Sequence, residues 1–291
     1  MRLLITGATG YLGWRATVLL RERGHEVTPL ARPGARERTA SQDLDAVALD
    51  AGSPDARALV AGHDAVLHFA GVPSPAFARD DPAAAVLGNA GTTLNLLEGC
   101  REHDVLLVYP SSIRAGVVPS PDPYAASKRL GEQACLAHEA RSAIVRLTSV
   151  FGPGQVHWEG ATGAIAAFAA RALAGEPIVI PGDPARTRDF VYVDDLVAGL
   201  DGVVRGGAPA DIVIAASGTP TSLLDAARAV VAAVGNGVVE TPGGEPPPGD
   251  ERSYEAGDEP RLALDCRPIG DAIHAYVDWL RAQPGAPGRR R

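Results

Sequence analysis

The sequence predicts an α/β protein: a doubly wound parallel sheet followed by a smaller α/β lobe. The first observation is a short apolar run, residues 3–5, that leads through a glycine-rich turn into a helical stretch. The second is that this unit repeats, because further apolar runs alternate with helical stretches, at 26–30, 46–49, 65–70 and 105–109. Continuous apolar runs are typical of strands buried on both faces, as in a parallel sheet.

Composition narrows the function classes. The 291 residues are 46% apolar and 21% charged, which is ordinary for a globular chain of one or two domains. A formal net charge of -8 argues against nucleic-acid binding. Gly7 and Gly10 interrupt the first apolar run too early for a signal peptide. No apolar run in the sequence reaches the length of about 18 residues that would predict a membrane span. Three distant cysteines without C-x-x-C spacing predict no metal site and suit a reducing, cytoplasmic location.

The turn after the first strand carries the pattern Gly7-x-x-Gly10-x-x-Gly13. Gly7 suits a tight turn, Gly10 lets the backbone approach a pyrophosphate, and Gly13 lets the helix pack close to the strand. The free N–H groups at the start of the helix favour a phosphate group. The spacing differs from the common G-x-G-x-x-G fingerprint, but its position between strand and helix predicts a dinucleotide site.

The end of the second strand bears on which dinucleotide is bound. An acidic residue there would hydrogen-bond the ribose hydroxyls of NAD, and Ala31 cannot do so. Arg32 can instead meet the 2′-phosphate of NADP, so the sequence slightly favours NADP over NAD. Arginines in such loops are often only solvated, which leaves NAD as the alternative.

Lys128 is the only lysine among 27 basic residues, and it lies four positions after Tyr124. If the chain is helical from Pro123, the two side chains share one face of the helix. A nearby ammonium group would favour the phenolate and make Tyr124 a general acid or base. Ser112, at the carboxyl end of the fifth strand, lies at the edge where open α/β sheets bind ligands and would complete a Ser-Tyr-Lys set. A surface helix with an unrelated Tyr and Lys is the alternative, because the pair alone is common.

These residues resemble the extended short-chain dehydrogenase/reductase family, in its NAD(P)-dependent sugar-nucleotide epimerase and dehydratase branch. The resemblance covers nearly the whole chain, and the motifs fall in the family's order: the glycine turn, His68-Phe69-Ala70, Ser111-Ser112, Tyr124-x-x-x-Lys128 and the segment 187–195. It implies a Rossmann-like dinucleotide-binding domain at 1–150 with a return segment near 188–216. A substrate lobe is expected at 151–283 and a flexible tail at 284–291.

The resemblance also implies residue roles. Lys128 would bind the nicotinamide ribose, Asp50 the adenine and Arg188 the nucleotide diphosphate, while Asn89 would help to order the active site. The expected cofactor contacts are Gly7, Thr9, Gly10, Tyr11, Leu12, Arg32, Asp50, Ala70 and Lys128. The expected substrate contacts are Asn89, Ser149, Arg188 and Arg252.

Several positions depart from the family pattern. The segment 113–123 is short and lacks tyrosine, which predicts a more open pocket. Ile113 and Arg114 replace the acid pair of the sugar 4,6-dehydratases, so dehydration is disfavoured. Ser149 stands at an asparagine position near the diphosphate, and Pro247 stands where a second diphosphate arginine is usual. Arg252 is close enough in sequence to substitute for that arginine.

The predicted function is hydride transfer at a hydroxyl or keto carbon of a nucleotide sugar, of the 4-ketoreductase or 4-epimerase type. NADP would suit net reduction, and tightly held NAD would suit epimerisation. An NADPH-dependent carbonyl reductase acting on a non-nucleotide ketone or aldehyde is a second reading. A catalytically silent NADP-sensing regulator is a third, although it would not need Ser112, Tyr124 and Lys128 together. The resemblance further suggests a homodimer, formed through the helix after Asn89 and the helix carrying Tyr124.

Overall fold

The computed structural model describes residues 1–35, 44–206, 211–247, 250, 253–254 and 256–288. The chain forms two compact units. The first comprises Met1–Leu147, Val197–Ala215 and Gly257–Ala263, and the second comprises Thr148–Leu196, Ala216–Ala256 and Leu264–Arg291. No helix in the described part of the chain is both long and apolar enough to cross a bilayer.

The first unit is organised around a seven-stranded sheet in which all the strand pairs are parallel. In spatial order the strands are β10 (Ile212–Ala215), β6 (Ser142–Leu147), β5 (Leu106–Ser112), β4 (Ala65–His68), β1 (Arg2–Thr6), β2 (Glu26–Ala31) and β3 (Val47–Ala48). The strand order reverses direction at β1, as in a doubly wound fold. The predicted fold class is therefore confirmed.

The helices of the first unit are α1 (Tyr11–Glu22), α2 (Pro54–Leu59), α3 (Pro75–Asp80), α4 (Pro82–His103) and α5 (Pro123–Ala137); α7 (Val193–Val204) belongs to it from Val197 onwards. The starts of α2, α4 and α5 share one device. The side chains of Ser53, Asp81 and Asp122 each accept a hydrogen bond from a backbone N–H of the first turn, and proline follows each cap. This device fixes where α5 begins, and hence where Tyr124 lies.

The second unit contains two small sheets. One has the order β11 (Pro220–Ser222), β9 (Thr187–Tyr192), β7 (Ser149–Phe151), and the other pairs β8 (Ile178–Pro181) with β12 (Val239–Gly243). Helices α6 (Ala164–Ala174), α8 (Leu223–Val234) and α9 (Ile269–Ala282) pack on them. Phe151 lies edge-on to Phe190, Tyr192 and Tyr276, with ring centroids 5.6–6.1 Å apart.

Some elements depend on contacts that local sequence signals do not report. The segment 75–80 is helical, although it lies in a proline-rich stretch. Helix α8 begins at Leu223, because Pro220–Ser222 pairs with β9 and Ser222 caps the helix. In the segment expected to be a tail, Trp158 donates a hydrogen bond to the Pro284 carbonyl and Ala286 is buried.

Candidate active site

The glycine turn of the first unit is tightly packed. Gly7 has a φ of +68°, and a Cβ there would lie 2.6 Å from the Ala70 nitrogen. A Cβ on Gly13 would lie 2.3 Å from the Gly7 carbonyl oxygen, and Gly10 donates a backbone hydrogen bond to that oxygen at 2.9 Å. Side chains at these positions would fill the cradle, so the turn fits a dinucleotide. The remaining predicted contacts lie around it: Thr9 in the turn, Tyr11 and Leu12 at the start of α1, and Ala70 after β4.

Replacing Gly13 with alanine is expected to abolish dinucleotide binding and to lower the free energy of unfolding by about 1–3 kcal/mol. The reason is that the atoms it would meet are backbone atoms of Gly7 and Ala8, which cannot rotate away. Cofactor titration and urea unfolding measure the two effects. Gly202→Ala in α7 is the matched control, since its Cβ meets nothing within 4 Å. It should keep cofactor binding and gain up to about 1 kcal/mol; equal behaviour of the two variants would contradict the packing argument.

Arg32 is exposed at the end of β2, beside a cavity of about 310 Å³ in the first unit. Thr9, Ala31 and Asp45 also line this cavity. The cavity joins the glycine turn to Arg32, where the ribose end of a dinucleotide is expected. Asp50, the predicted adenine contact, is exposed after β3 and accepts a hydrogen bond from the Gly52 N–H at 2.7 Å.

Ser112 and Tyr124 meet in the first unit. The two serines that end β5 point to opposite faces of the sheet. Ser111 donates to the buried carboxylate of Glu132 at 2.6 Å, whereas the Ser112 hydroxyl is hydrogen-bonded to the Tyr124 phenol. Tyr124 is the second residue of α5. The structure thus pairs Tyr124 with Ser112 and not with Ser111.

Lys128 lies one turn after Tyr124 on α5, as the helix spacing predicts. Its Nζ donates to the Pro110 carbonyl at 2.8 Å and lies 5.0 Å from the centroid of the Tyr109 ring. Burial raises the pKa of Tyr124 to about 12, and the groups that pull this pKa back down are Ser112 and the charge of Arg114. Lys128 is not among the groups that shift this pKa, so the lowering of the Tyr124 pKa by Lys128 stays a prediction.

The charge of Lys128 is itself affected by its surroundings. Burial lowers the pKa of Lys128 to about 8, and the carboxylate of Glu132, one turn further along α5, opposes this shift. Glu132 in turn makes a two-pronged ion pair with Arg146, at 2.8 Å to both Nε and Nη2. Lys128 thus borders a buried network of charges.

Asn89, on α4, makes hydrogen bonds with both ends of its side-chain amide. Its side-chain oxygen accepts from the Val72 N–H at 2.7 Å, and its amide donates to Ser127 Oγ at 2.8 Å. Ser127 lies between Tyr124 and Lys128 and donates to the Tyr124 carbonyl at 2.8 Å. Because both ends of the buried amide are used inside the first unit, this geometry supports the ordering role of Asn89, and its contact with a substrate stays a prediction.

His68, at the end of β4, is a buried packing residue. Its Nδ1 shares a hydrogen bond of 2.8 Å with Thr6 Oγ1, which also accepts from the Ala70 N–H. Burial, with a smaller contribution from the Lys128 charge, lowers the pKa of His68 to about 3. His68 is therefore neutral at physiological pH.

This pKa predicts an acid-sensitive fold. The folded-state pKa of His68 is below its ordinary value of 6.5, so stability is lost as pH falls from about 6.5 to about 3. Between pH 7 and 4.5 the wild type should lose about 2–3 kcal/mol more than His68→Asn, which keeps an acceptor near Thr6. Denaturant unfolding at several pH values measures this difference. Parallel pH curves for the two proteins would show that His68 is not the cause.

The second unit holds the predicted anion-binding residues. Ser149 on β7 pairs in register with Phe190 on β9, two residues after Arg188. Arg188 makes an ion pair with Asp250 and lies 5.0 Å above the Tyr254 ring. Arg186 also reaches Asp250, at 3.1 Å, although its side chain is only 4% exposed. Two guanidinium groups thus share one carboxylate. Arg252 lies outside the described residues.

Sequence reasoning missed Arg114 and Arg186. In the sequence, Arg114 stands out only as a departure from the dehydratase pattern. Its effect on the pKa of Tyr124 depends on how residues 113–123 fold. For Arg186 there was a signal: it precedes Arg188 by two positions, and alternate residues of an extended segment share a face. The position of Asp250 depends on a long-range contact with no local pattern.

These features define a doubly wound α/β protein with a glycine-rich dinucleotide turn. At the carboxyl end of its central strands lie a serine, a tyrosine and a lysine. The chain belongs to the NAD dependent epimerase/dehydratase family, whose sequence model matches residues 3–215. The family resemblance drawn from the motifs is confirmed. In the described residues no group of three or more His, Cys, Asp or Glu side chains is placed to hold a metal ion.

Relatives include enzymes of more than one reaction type. The chain is 31% identical to the UDP-glucose 4-epimerase of Mycolicibacterium smegmatis over 265 residues, which cover 81% of this chain and 83% of the relative. It is 28% identical to the dTDP-glucose 4,6-dehydratase of Streptomyces antibioticus over 324 residues, covering 97% and 92% of the two chains. Among solved structures, the Thermus thermophilus UDP-glucose 4-epimerase in complex with NAD has 25% identity and a TM-score of 0.77, covering 97% and 99%.

Proposed function

We propose that the protein is a nucleotide-sugar 4-epimerase that uses NAD, and that the first unit binds the dinucleotide while the second binds the nucleotide sugar. The observation that carries the proposal is the placement of Ser112, Tyr124 and Lys128 on β5 and α5 of a sheet whose first turn fits a dinucleotide. A sensor of the cofactor would need the turn but not this set. The UDP-glucose 4-epimerase relative, at 31% identity, supports the choice of reaction.

The mechanism follows from the side chains. A bound nicotinamide would supply the hydride acceptor and donor. As the phenolate, Tyr124 accepts the proton of the substrate hydroxyl while the substrate carbon is oxidised, and the resulting phenol returns it on reduction. Ser112, already bonded to the phenol, hydrogen-bonds the same substrate oxygen and holds it near Tyr124. Lys128 presents its ammonium group to the nicotinamide ribose and stabilises negative charge near the phenol when ligands are bound.

The proposed diphosphate contacts lie in the second unit. Arg186 and Arg188 both contact the carboxylate of Asp250, which brings two guanidinium groups together. A nucleotide diphosphate suits such a pair, since Arg binds phosphate in a forked geometry. Arg186 is thus a candidate for the second diphosphate arginine, which is usual in the family at the position that Pro247 occupies here.

A 4-ketoreductase using NADPH is the second candidate. Exposed Arg32 beside the cavity at the ribose end favours it, because a guanidinium group there suits a 2′-phosphate. Dehydration stays disfavoured in this proposal, because Ile113 and Arg114 provide no acid or base after Ser112, although a dehydratase is among the relatives.

The test begins with the nucleotide that copurifies with the protein. Tightly held NAD, followed by interconversion of UDP-glucose and UDP-galactose without added cofactor, would support the epimerase. Empty protein that binds NADPH at least tenfold more tightly than NADH and reduces a 4-keto nucleotide sugar would replace it with the ketoreductase. Turnover of simple ketones, with no binding of UDP, would overturn both.

A homodimer is also proposed. Helix α4 exposes Leu87 (72% exposed) and Leu94 (47%), two turns apart on one face, and the neighbouring α5 exposes Leu130 and Leu136. An apolar surface of this extent on two packed helices suits a second copy of the chain. The expectation from the family resemblance points to the same helices.

Replacing Leu87 and Leu94 together with glutamate is expected to convert the dimer into a monomer, since charge would have to be buried at the interface. Light scattering after gel filtration measures the mass. Val238→Glu, at an exposed apolar position of the second unit, is the control and should leave the mass unchanged. A wild-type protein that runs as a monomer at micromolar concentration would reject the dimer.

A further inference from the structure

An ion pair lies at the entrance to α5. Arg114 Nη1 contacts Asp122 Oδ2 at 2.8 Å, and the two side chains are 16% and 5% exposed. We propose that Arg114 is a positioning residue whose charge, balanced by Asp122, controls how readily the Tyr124 phenol gives up its proton. This inference rests on the proposed function, in which Tyr124 is the acid and base.

The contacts tie this pair to the catalytic residues at both ends. The Arg114 N–H donates to Ser112 Oγ at 3.2 Å, and Ser112 is hydrogen-bonded to Tyr124. Asp122 holds Arg114 with one oxygen and caps α5 with the other, accepting from the Ala125 N–H at 2.8 Å. One carboxylate therefore fixes both the guanidinium group and the helix turn that carries Tyr124.

Other charges of the described residues near this pair have contacts of their own. Lys128 is hydrogen-bonded to the Pro110 carbonyl, and Arg146 on β6 is paired with Glu132 and with Glu259, which lies near Gly116 in the segment after β5. Further titratable or charged groups around the start of α5 are Tyr109 on β5 and the exposed Arg79 and Asp80 on α3. Of all these groups, Arg114 lowers the pKa of Tyr124 and Asp122 raises it.

The two partners of the pair therefore have opposite effects on the pKa of Tyr124. Substitution of each partner in turn can thus distinguish an electrostatic effect from misfolding. Arg114→Gln removes the positive charge and should raise the pKa of Tyr124 by about half a unit to one unit. Asp122→Asn removes the negative charge, keeps a good helix cap, and should lower that pKa. A loss of structure would instead shift the pKa of Tyr124 in the same direction in both variants.

The control is Arg129→Gln. Arg129 donates to the carbonyls of Ala115 and Val117 at 2.8 Å, so it holds the same short segment after β5. It is not among the groups that shift the pKa of Tyr124. Arg114→Lys is the conservative variant and should retain most of the effect of the charge.

The experiment is NMR titration of the full-length protein carrying ¹³Cζ-labelled tyrosine, with the Tyr124 resonance assigned by its absence in Tyr124→Phe. We expect the pKa of Tyr124 to be lowest in Asp122→Asn, intermediate in wild type and Arg114→Lys, and highest in Arg114→Gln. The Arg129→Gln variant should have the same Tyr124 pKa as wild type. An unchanged pKa in Arg114→Gln, or equal shifts in Arg114→Gln and Arg129→Gln, would overturn the inference.

A kinetic readout separates this inference from the proposed function. Below the pKa of Tyr124 the phenolate fraction falls tenfold per unit, so substrate oxidation by Arg114→Gln should be about 3- to 10-fold slower at fixed pH. KM should change little, whereas a purely structural role would alter KM and kcat together. If no sugar nucleotide is turned over, the proposed function fails, while the NMR order still tests the role of Arg114.

Discussion

Replacing Tyr124 with phenylalanine is expected to lower kcat for sugar oxidation by about 10²–10⁴-fold. The phenol is the only proton carrier that the proposed mechanism uses, and Ser112 alone cannot accept a proton at neutral pH. Dinucleotide binding should remain, because the turn around Gly7 and Gly13 does not involve Tyr124. The measurements are steady-state kinetics with UDP-glucose and a separate cofactor titration.

The fold should tolerate this change, since phenylalanine keeps the ring in place. Tyr276→Phe in the second unit is the matched control, because its buried hydroxyl donates to the Gln155 carbonyl and not to any residue of the candidate site. That variant should lose some stability but keep kcat within about twofold of wild type. Retention of more than a tenth of the activity by Tyr124→Phe would assign the proton transfer to another group.

Replacing Lys128 with methionine is expected to lower kcat by about 10²–10³-fold, through loss of the charge that, in the proposed function, orients the cofactor and stabilises negative charge near the phenol when ligands are bound. The effect on the fold should be small at pH 7, within about 1 kcal/mol. Methionine matches the length of the stem, and it loses only the bond to the Pro110 carbonyl and the contact with the Tyr109 ring. It also removes a charge that burial disfavours.

The pH dependence of stability distinguishes this account from simple loss of packing. The folded-state pKa of Lys128 is about 8, below its ordinary value of 10.5, so the unfolded chain binds more protons between these limits. Wild-type stability should therefore rise with pH in that interval relative to Lys128→Met, by about 1.4 kcal/mol per unit. Lys128→Arg, which cannot lose its charge, should lack this rise and be less stable at pH 7. A difference in the free energy of unfolding between wild type and Lys128→Met that does not change with pH would contradict the lowered pKa of Lys128.

The fold of the first unit was readable from the sequence because its signals are local. Apolar runs, proline-preceded caps and the glycine turn each report on a few neighbouring residues, and together they predict a parallel sheet. Short elements without such signals are not readable in this way, as at Pro75–Asp80. The start of α8 depends on the pairing of Pro220–Ser222 with β9, which is a long-range contact.

The candidate site was predicted less completely. Helix spacing placed Tyr124 and Lys128 on one face, but it could not show that the ammonium group would bond to Pro110 on β5. The partners of Arg188 were equally hidden, because Asp250 follows it by 62 positions. Sequence patterns give the residue types on a surface, whereas side-chain partners depend on how separate segments pack.

The single lysine has a practical consequence for chemical labelling. Reagents that modify amines have two targets in this chain, the α-amino group and Lys128. An amine with a pKa of about 8 is partly unprotonated, and thus nucleophilic, at mildly alkaline pH. A second adduct in a mass spectrum would therefore report directly on whether this one side chain is reachable. Its suppression by a bound dinucleotide would support the proposed role of Lys128 at the nicotinamide ribose, without any substitution.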